Sequence, residues 1–341
     1  MEQTKMVEPA NCVLCCDWGT SSLRLRLVEA ESVLVLEEIV VGEGVSKTFD
    51  EWQYQSLTGI SQEDFFRQKL SGYVELLQRE TDVPLTNLQL IISGMASSSI
   101  GMAEVPYAGL PFATDGSQTS IRVLRGATGL FDTILLASGV KSNNDVMRGE
   151  ETQLVGLLSI DPTLPVDYGQ YIFPGTHSKH ITVIDGAISS FRTFMTGEVF
   201  ELLRVHSILK QSVQKPEEGG VFQERNYREA FIRGLREGCD ETILNALFQV
   251  RANGLFGRTT PEENYFFLSG LLLGSELAST AGSSGLPLII SAGPNLASEY
   301  RLAAEELRLN NTILIDPQVA EMASVAGQLQ VIKKFNEINA L

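Results

Sequence analysis

The first part of the chain alternates apolar runs with short polar segments. An apolar run that starts at residue 12 ends in the segment Asp-Trp-Gly-Thr-Ser-Ser at residues 17–22, after which residues 23–27 alternate between Leu and Arg. Alternation with a period of two is typical of a half-buried strand. A further β-rich run at residues 33–41 follows a short turn. We therefore predict strand, polar loop, strand, turn and strand at the start of the chain.

The rest of the chain mixes helical and strand-like periodicities. Apolar residues at helical spacing predict a helix at residues 63–77, and a similar pattern begins at residue 150. An Asp-Gly pair at residues 185–186, flanked by alternating apolar residues, predicts a β-hairpin. Further strands are predicted at residues 88–93, 133–138, 171–173, 286–291 and 312–315, and further helices at about residues 197–213, 227–250, 262–280, 296–307 and from about residue 318. The segment 212–225, which contains one Pro and two Gly, is predicted to be a flexible loop. Mixed elements throughout the chain favour an α/β fold, and 341 residues favour two domains or two lobes.

The formal net charge of −16 makes the protein strongly acidic. An acidic surface repels phosphate backbones, so nucleic acid is not expected as a partner. No apolar run approaches the roughly 18 residues that a membrane span needs, and residues 1–9 lack the apolar core of a secretion signal. We therefore expect a cytoplasmic protein without a membrane partner. Any site for an anion must concentrate a few cations and N–H groups locally.

The four cysteines do not form a pattern of disulfides or zinc ligands. Cys12, Cys15 and Cys16 share one apolar run, and Cys239 stands alone. Only three histidines could complete a zinc site, so we expect none. The three clustered cysteines are interpreted as small apolar residues of a buried strand.

The polar loop after the first strand has the chemistry of a phosphate site. Asp17 can hold a hydrated Mg²⁺, and Gly19 lets the backbone approach a phosphate. Thr20 and Ser21 offer hydroxyl and N–H donors. A hairpin turn without a ligand is the alternative interpretation.

A second loop, at residues 173–180, repeats this chemistry in the later part of the chain. Gly175 follows one strand and precedes another, and the donors that come after it are Thr176, His177, Ser178 and Lys179. Two such hairpin loops, one in each lobe, suit an ATP site that is clamped from both sides.

A third segment runs from a predicted strand through a glycine into a helix. Gly293 permits a base or a ribose to lie close to the backbone, and Asn295 can contact it or simply cap the helix. The chain contains no Gly-Lys pair and no strand-linked GxGxxG, which excludes a P-loop and a dinucleotide-binding fingerprint.

Two adjacent acids lie between the phosphate loops. Glu150 and Glu151 follow Gly149 at a predicted helix start, and one of them could accept the proton of a hydroxyl that attacks a phosphoryl group. Acids are also common in a first helical turn because of the helix dipole. Adjacent helical residues point about 100° apart, so at most one of the two acids can address the hydroxyl, and we expect that one to be Glu150. Arg148 could hold a substrate carboxylate or form an internal ion pair.

Several strings resemble one kinase family. The order of an Asp-x-Gly-Thr hairpin, an acid after Gly, a second Gly-Thr hairpin and a Gly turn into a helix resembles the hexokinase, glycerol kinase and actin superfamily. A closer resemblance is to the 2-dehydro-3-deoxygalactonokinases. It rests on the strings DWGTSSLR at 17–24, VMRGEETQLVG at 146–156, PGTHSK at 174–179, FRTFMTGE at 191–198 and FLSGLLLGSE at 267–276.

The resemblance implies an α/β fold of two actin-like (ribonuclease H-like) lobes with mixed sheets and a cleft between them. We expect an N-terminal lobe at residues 1–147, with the first phosphate hairpin and the sugar side, and a C-terminal lobe at residues 148–341, with the second hairpin and the adenosine side. The last helix can pack back on the first lobe. The implied reaction uses ATP and Mg²⁺ to convert 2-dehydro-3-deoxy-galactonate into its 6-phosphate. The residues expected to contact the sugar acid are Arg24, Gly94, Met95, Ser98, Arg148 and Arg192.

Two alternatives remain open at this point. One is a kinase for another small sugar acid or polyol, because the segment after Met95 departs from the family pattern beside the expected sugar site. The other is an actin-like ATPase that phosphorylates no metabolite. The sequence also leaves the oligomeric state open, a homodimer included.

Overall fold

The computed structural model describes residues 11–55, 59–125, 133–216, 222, 224–240, 242–280 and 285–340. It divides into two compact units. Unit one comprises residues 1–166, 186–190 and 321–341, and unit two comprises residues 167–185 and 191–320. The segment 1–9, for which no secretion signal is predicted, lies outside the described residues, as does part of the loop predicted at 212–225. The lobe boundary after residue 147 stays a prediction.

Unit one is built on a six-stranded sheet in the order β3-β2-β1-β4-β7-β6. β1 pairs antiparallel with β2, and β2 with β3, whereas β1, β4 and β7 run parallel. A short strand, β5, pairs with the beginning of β12. Only the first residues of β12, up to residue 190, belong to this unit. The strands are β1 (Cys12–Trp18), β2 (Leu23–Glu29), β3 (Leu34–Val41), β4 (Gln89–Gly94), β5 (Phe112–Ala113), β6 (Ile121–Arg125), β7 (Thr133–Ala137), β8 (Val140–Lys141), β9 (Val146–Met147) and β12 (Ala187–Phe194). The helices are α1 (Val45–Gln55), α2 (Gln62–Arg79), α3 (Glu150–Ile160) and α9 (Pro317–Asn339), of which α9 joins the unit from Glu321 onwards.

Both faces of this sheet are covered by apolar side chains. Alternate residues of β1 point to opposite sides, so Leu14 and Cys16 pack with the apolar face of α2. Val13 and Cys15 pack on the other side with residues of α9. The interpretation of the clustered cysteines as buried strand residues is therefore confirmed. Double-sided burial explains why β1 is an almost continuous apolar run.

Helices α3 and α9 cross with their backbones nearly in contact. A Cβ atom added to Gly156 would lie 1.8 Å from the carbonyl oxygen of Ala323. One added to Gly327 would lie 1.9 Å from the carbonyl oxygen of Thr152. Only glycine at both positions allows this approach, which fixes α3 against the rest of unit one.

Unit two repeats the arrangement of unit one around β10. This strand pairs antiparallel with β11 on one side and parallel with β13 on the other, and β13 pairs parallel with β14. The strands are β10 (Tyr168–Phe173), β11 (Ser178–Ile184), β13 (Leu288–Ile290) and β14 (Thr312–Leu314). The helices are α4 (Thr196–His206), α5 (Arg225–Asp240), α6 (Ile243–Leu255), α7 (Pro261–Leu277) and α8 (Ala297–Glu306). The predicted α/β class with mixed sheets is confirmed.

Two helix predictions need correction, and one helix was not predicted. The helix predicted at about 227–250 is two helices, α5 and α6, and α6 begins directly after Thr242. The helix predicted at about 197–213 ends at His206, and residues 208–211 form a separate helical turn. α1 was not predicted, because it is mostly polar and only Val45 and Thr48 are buried along it. No helix among the described residues is long and apolar enough to cross a membrane.

Candidate active site

The carboxyl ends of β1 and β4 bring the first phosphate loop beside Gly94. The parallel register places Trp18 opposite Gly94. A Cβ atom added to Gly94 would lie 2.8 Å from the carbonyl oxygen of Trp18 and 3.2 Å from Oδ1 of Asp17, and its φ of 88° favours glycine. The predicted metal ligand Asp17 and the predicted sugar-side residue Gly94 are therefore neighbours.

The start of α3 reaches the same place. Gly149 has a φ of 115°, a backbone conformation that favours glycine. A Cβ atom added to it would lie 3.8 Å from Cα of Gly94. Because Glu150 follows as the first residue of α3, Asp17, Gly94 and Glu150 come from three separate segments to one edge of the unit-one sheet.

Burial and neighbouring charges act on the Asp17 carboxyl group in opposite directions. Burial raises the pKa of Asp17, Arg24 and Arg26 lower it, and the charge of Glu150 raises it, so that the pKa lies above its ordinary value. Arg24 lies directly opposite Asp17 in the β1–β2 register and is exposed. Arg26 is buried and paired with Glu38.

Glu150 and Glu151 have different surroundings. The carboxylate of Glu151 accepts hydrogen bonds from the Gly149 N–H, at 2.8 and 3.0 Å, and from the Thr152 hydroxyl at 3.0 Å, and only 2% of the residue is exposed. Burial, and next the charge of Glu150, raise the pKa of Glu151 to about 7. Glu150 is only half-buried, and its Oε2 accepts from the backbone N–H of Arg148 at 3.1 Å. A pKa near 7 suits a base, but the geometry leaves Glu150 as the more accessible acid.

Arg148 lies between a hydroxyl group and an aromatic ring. Its Nη1 donates to Oγ of Ser97 at 2.6 Å, and its guanidinium carbon lies 4.2 Å from the ring centroid of Tyr107. Its Nε is buried and has no hydrogen-bond partner among the residues that the structure describes. Ser98, which the sequence places at the sugar, donates instead to the carbonyl oxygen of Met95 at 2.7 Å. Ser97, which sequence reasoning missed, is the serine that contacts Arg148.

The first phosphate loop is held by the start of α1. The N–H of Val45 donates to the carbonyl oxygen of Gly19 at 2.9 Å, and that of Ser46 donates to the carbonyl oxygen of Thr20 at 3.2 Å. Both Thr20 and Ser21 are exposed. The loop carbonyl groups thus accept hydrogen bonds from the start of α1, and the exposed hydroxyl groups of Thr20 and Ser21 remain at the surface of the loop.

In unit two, the second phosphate loop packs against the start of α4. A Cβ atom added to Gly197 would lie 2.7 Å from the carbonyl oxygen of Gly175 and 2.9 Å from Cα of Thr176. The backbone N–H of Glu198 donates to the carbonyl oxygen of Thr176 at 3.0 Å. The carboxylate of Glu198 contacts the His177 ring. The loop is thus fixed to the N-terminus of an 11-residue helix, where N–H groups favour an anion.

Ser178 and Lys179, which were predicted in this loop, are instead the first residues of β11, and Lys179 is 4% exposed. Its Nζ donates to the carbonyl oxygen of His177 at 3.3 Å. Arg192, a predicted sugar ligand, lies in β12 with its guanidinium carbon 5.2 Å from the ring centroid of Phe194. It belongs to unit two, whereas Arg148 belongs to the group around Gly94 in unit one.

A cavity of about 420 Å³ opens beside the second loop in unit two. Gly175 and Asn295, predicted separately as phosphate-side and adenosine-side residues, both line it. Its volume falls in the usual range of small-molecule sites. Its other lining residues are Thr196, Gly197, Phe200, Lys215, Tyr265, Ser269, Leu272, Leu273, Leu296, Glu299 and Tyr300.

Comparison with known proteins decides the family. A family model described as 2-keto-3-deoxy-galactonokinase matches residues 17–331. The chain belongs to this family. The resemblance stated from the five sequence strings is therefore confirmed.

Relatives of this family match over most of their length. A 2-dehydro-3-deoxygalactonokinase of Escherichia coli K12 is 30% identical over 305 residues, which cover 86% of this chain and 89% of the relative. Among solved structures, a provisionally assigned 2-dehydro-3-deoxygalactonokinase of Sinorhizobium meliloti matches with a TM-score of 0.73 and 29% identity, and the match covers 96% of this chain and 100% of the other. This solved relative therefore shares the fold over most of the chain.

Proposed function

We propose that this protein transfers the γ-phosphoryl group of ATP to the 6-hydroxyl of 2-dehydro-3-deoxy-D-galactonate, giving the 6-phosphate and ADP. Membership of a galactonokinase family supports this reaction and implies the use of ATP. The E. coli relative carries the same activity in its name. The observation that carries the assignment to residues is the convergence of Asp17, Gly94 and Glu150 at one sheet edge.

Asp17 is proposed as the residue that holds Mg²⁺, through water or directly. Mg²⁺ prefers oxygen ligands and binds through one or two carboxylates plus water and phosphate oxygens, which fits a half-buried carboxylate beside the exposed hydroxyls of Thr20 and Ser21. When bound, the ion neutralises charge on the phosphates. The role of this chain is to orient Asp17 through the tight contact with Gly94.

Glu150 is proposed as the general base. It would take the proton of the 6-hydroxyl as the bond from that oxygen to the γ-phosphorus forms and the bond from the phosphorus to the ADP oxygen breaks. Its half-buried side chain supports this role, whereas the carboxylate of Glu151 already accepts hydrogen bonds from Gly149 and Thr152 and is nearly inaccessible. Glu151 is then the residue that holds the α3 terminus in place.

Unit two is proposed to bind the nucleotide. The segment from Gly175 to Lys179 would bind phosphate oxygens, and the adjoining cavity, which Asn295 lines, would take the nucleoside. The ring of Tyr265, packed edge-on at 5.0 Å against Phe200, and the polar side chains of Ser269 and Thr196 suit a flat base and a ribose.

Arg148 is proposed to bind the carboxylate of the sugar acid. The contacts with Ser97 and Tyr107 hold its guanidinium group, and the buried Nε, which has no hydrogen-bond partner in the described part of the chain, offers a donor. A protein of net charge −16 needs such a local cation to bind an acid. We further propose that the protein works in the cytoplasm and binds neither nucleic acid nor membrane.

Measuring ADP release and phosphorylated product with a panel of acceptors tests this function. We expect turnover with 2-dehydro-3-deoxy-D-galactonate and little with a neutral sugar of equal length. Efficient phosphorylation of glycerol or a neutral hexose, with the acids inert, would assign a polyol kinase instead. ADP release that needs no acceptor and rises with protein concentration would favour an actin-like assembly ATPase.

The carboxylate site is tested by comparing two arginines. Arg148→Ala should raise the KM for the sugar acid roughly 10- to 100-fold, since hydrogen bonds to charged groups contribute about 1.5–3 kcal/mol, and should leave the KM for ATP within about twofold. Arg192→Ala is the matched variant, because it removes another arginine that lies on an aromatic ring. If Arg192→Ala has the larger effect on the acid, the carboxylate has been assigned to the wrong arginine.

A further inference from the structure

The carboxylate of Glu276, near the end of α7, lies at the centre of a buried polar cluster in unit two. Its Oε1 accepts hydrogen bonds from the Ser178 hydroxyl at 2.8 Å, the Tyr300 hydroxyl at 2.9 Å and Nε2 of His180 at 3.0 Å. Its Oε2 accepts from the Thr196 hydroxyl. Only 1% of its side chain is exposed. Four separate elements, β11, α4, α7 and α8, are therefore joined through one carboxylate.

This carboxylate is ionised and acts only as an acceptor. Burial by itself would raise the pKa of Glu276, but the hydrogen bonds from His180, Thr196 and Ser178 outweigh it, and the pKa lies below its ordinary value. An ionised carboxylate has no hydrogen to donate. Each hydroxyl group around it must therefore direct its single hydrogen towards Glu276, and any further bond made by that hydroxyl oxygen is one that it accepts.

The hydroxyl groups fixed in this way belong to the proposed nucleotide site. Ser178 directly follows the second phosphate loop, and Thr196 precedes Gly197, which packs against Gly175 of that loop. Thr196 and Tyr300 also line the 420 Å³ cavity. Fixing both residues on Glu276 thus determines the position of the loop and the hydrogen-bonding character of one cavity wall.

We infer that Glu276 is a positioning residue for the nucleotide. It anchors the second phosphate loop to α4, and it leaves the Thr196 and Tyr300 hydroxyl oxygens as hydrogen-bond acceptors in the cavity wall. This wall therefore selects a nucleoside that presents a donor group to it. A ribose hydroxyl or an exocyclic amino group is such a donor. The inference rests on the proposed binding of ATP in unit two, and it adds a role for a residue that contacts no substrate.

Glu276→Gln tests the positioning role, because the amide keeps the shape and removes the charge. The amide N–H group must face at least one of the four donors, and that group must then either accept from the amide instead of donating or lose its hydrogen bond. We expect the KM for ATP, and the dissociation constant of ADP measured by calorimetry, to rise roughly 10-fold or more, while the KM for the sugar acid stays within about twofold. Glu276→Asp should recover part of this loss.

Glu263→Ala is the control for general loosening of α7. Glu263 lies at the other end of this helix, where it forms a capping box with Thr260 and is not among the residues that line the cavity. Its replacement should lower thermal stability without changing the KM for ATP. If Glu276→Gln lowers the melting temperature but leaves ADP binding and both KM values unchanged, Glu276 is only structural and the inference is wrong.

The proposed selection by the Thr196 and Tyr300 acceptors is tested with nucleotides that lack one donor each. These are 2′-deoxy-ATP, 3′-deoxy-ATP and inosine triphosphate. We expect the wild type to use at least one of them roughly 10-fold less efficiently than ATP. Glu276→Gln should reduce that preference, because an amide N–H turns one wall hydroxyl into a donor. Equal use of all four nucleotides by the wild type would overturn the selection.

Tyr300→Phe gives a second route if the Gln variant does not fold. It removes one wall oxygen and keeps the ring, so the nucleotide preference and the KM for ATP should change while the KM for the acid does not. An unchanged preference and an unchanged KM for ATP would contradict the inference. The proposed function fails differently, because wild-type protein would then form no phosphorylated acid with any nucleotide.

Discussion

The variant Gly175→Ala tests whether the second phosphate loop needs glycine at this position to bind a ligand or to fold. Apart from its two chain neighbours, a Cβ atom added at this position would meet no atom of the described residues within 4 Å, and the φ of Gly175 lies outside the left-handed region. The described part of unit two therefore does not require glycine there. Gly197, its neighbour in space, is the opposite case, because an added Cβ atom would lie 2.7 Å from the carbonyl oxygen of Gly175.

The two substitutions should separate stability from binding. Gly175→Ala should leave the free energy of unfolding unchanged or raise it by about 0.4–1 kcal/mol, because alanine restricts the unfolded chain. Gly197→Ala should lower it by about 1–3 kcal/mol, because backbone atoms of the loop must move to accept the methyl group. If a phosphate approaches the backbone at residue 175, the alanine methyl group of Gly175→Ala should raise the KM for ATP at least roughly 10-fold, which corresponds to about 1.4 kcal/mol.

Urea unfolding and calorimetric titration with ADP measure both quantities on the same samples. Kinetics at saturating sugar acid then give the KM for ATP. A loss of stability in Gly175→Ala as large as in Gly197→Ala would show that the space beside Gly175 is not free. Normal ADP binding by a stable Gly175→Ala protein would remove the loop from the nucleotide site.

Three further predictions concern unit one. Glu150→Gln should lower kcat roughly 10²- to 10⁴-fold with little change in substrate binding, and a larger kinetic loss in Glu151→Gln would show that the bases were assigned in the wrong order. Asp17→Ala should abolish most Mg²⁺-dependent turnover while circular dichroism stays unchanged, and equal activity in titrations with Mg²⁺ would remove Asp17 from the mechanism. The Tyr73 hydroxyl, which donates to Glu43 at 2.6 Å, is the largest cause that lowers the pKa of Glu43 from 4.5 to about 2. This stabilisation is therefore present above pH 4.5 and is lost as the pH falls towards 2. Tyr73→Phe should cost about 1 kcal/mol in urea unfolding at pH 7 and clearly less at pH 2.5, and equal costs at both pH values would contradict the assignment.

Local patterns predicted the positions of the loops, because the polar residues of each loop are consecutive in the sequence. Gly19 and Gly175 both follow buried strands, as the apolar runs before them indicated, although Asp17 is itself part of β1. The proximity of Asp17 and Gly94 was beyond such reasoning, because it depends on the parallel pairing of β1 with β4. Strand order is set by packing of the whole sheet and leaves no short-range signal.

Sequence reasoning missed the residues that act through others. Glu276 lies in a helix rich in apolar residues, and its partners come from three other elements. An acid in an otherwise apolar stretch of helix is a signal that could have found it, since a buried charge requires partners. Ser97 and Ser98 show the limit of such signals, because adjacent serines with the same chemistry point to different partners.

The membership of α9 in unit one also bears on how the protein is made. A ribosome releases residues 1–166 early, but the helix that covers Val13 and Cys15 comes from the last part of the chain. At about 5–20 residues per second, roughly 8–30 s pass between residue 166 and the first residues of that helix. Unit two emerges in full during this interval, so the later part of the nascent chain can fold first. Until then, one apolar face of the first sheet is open to chaperones or to aggregation.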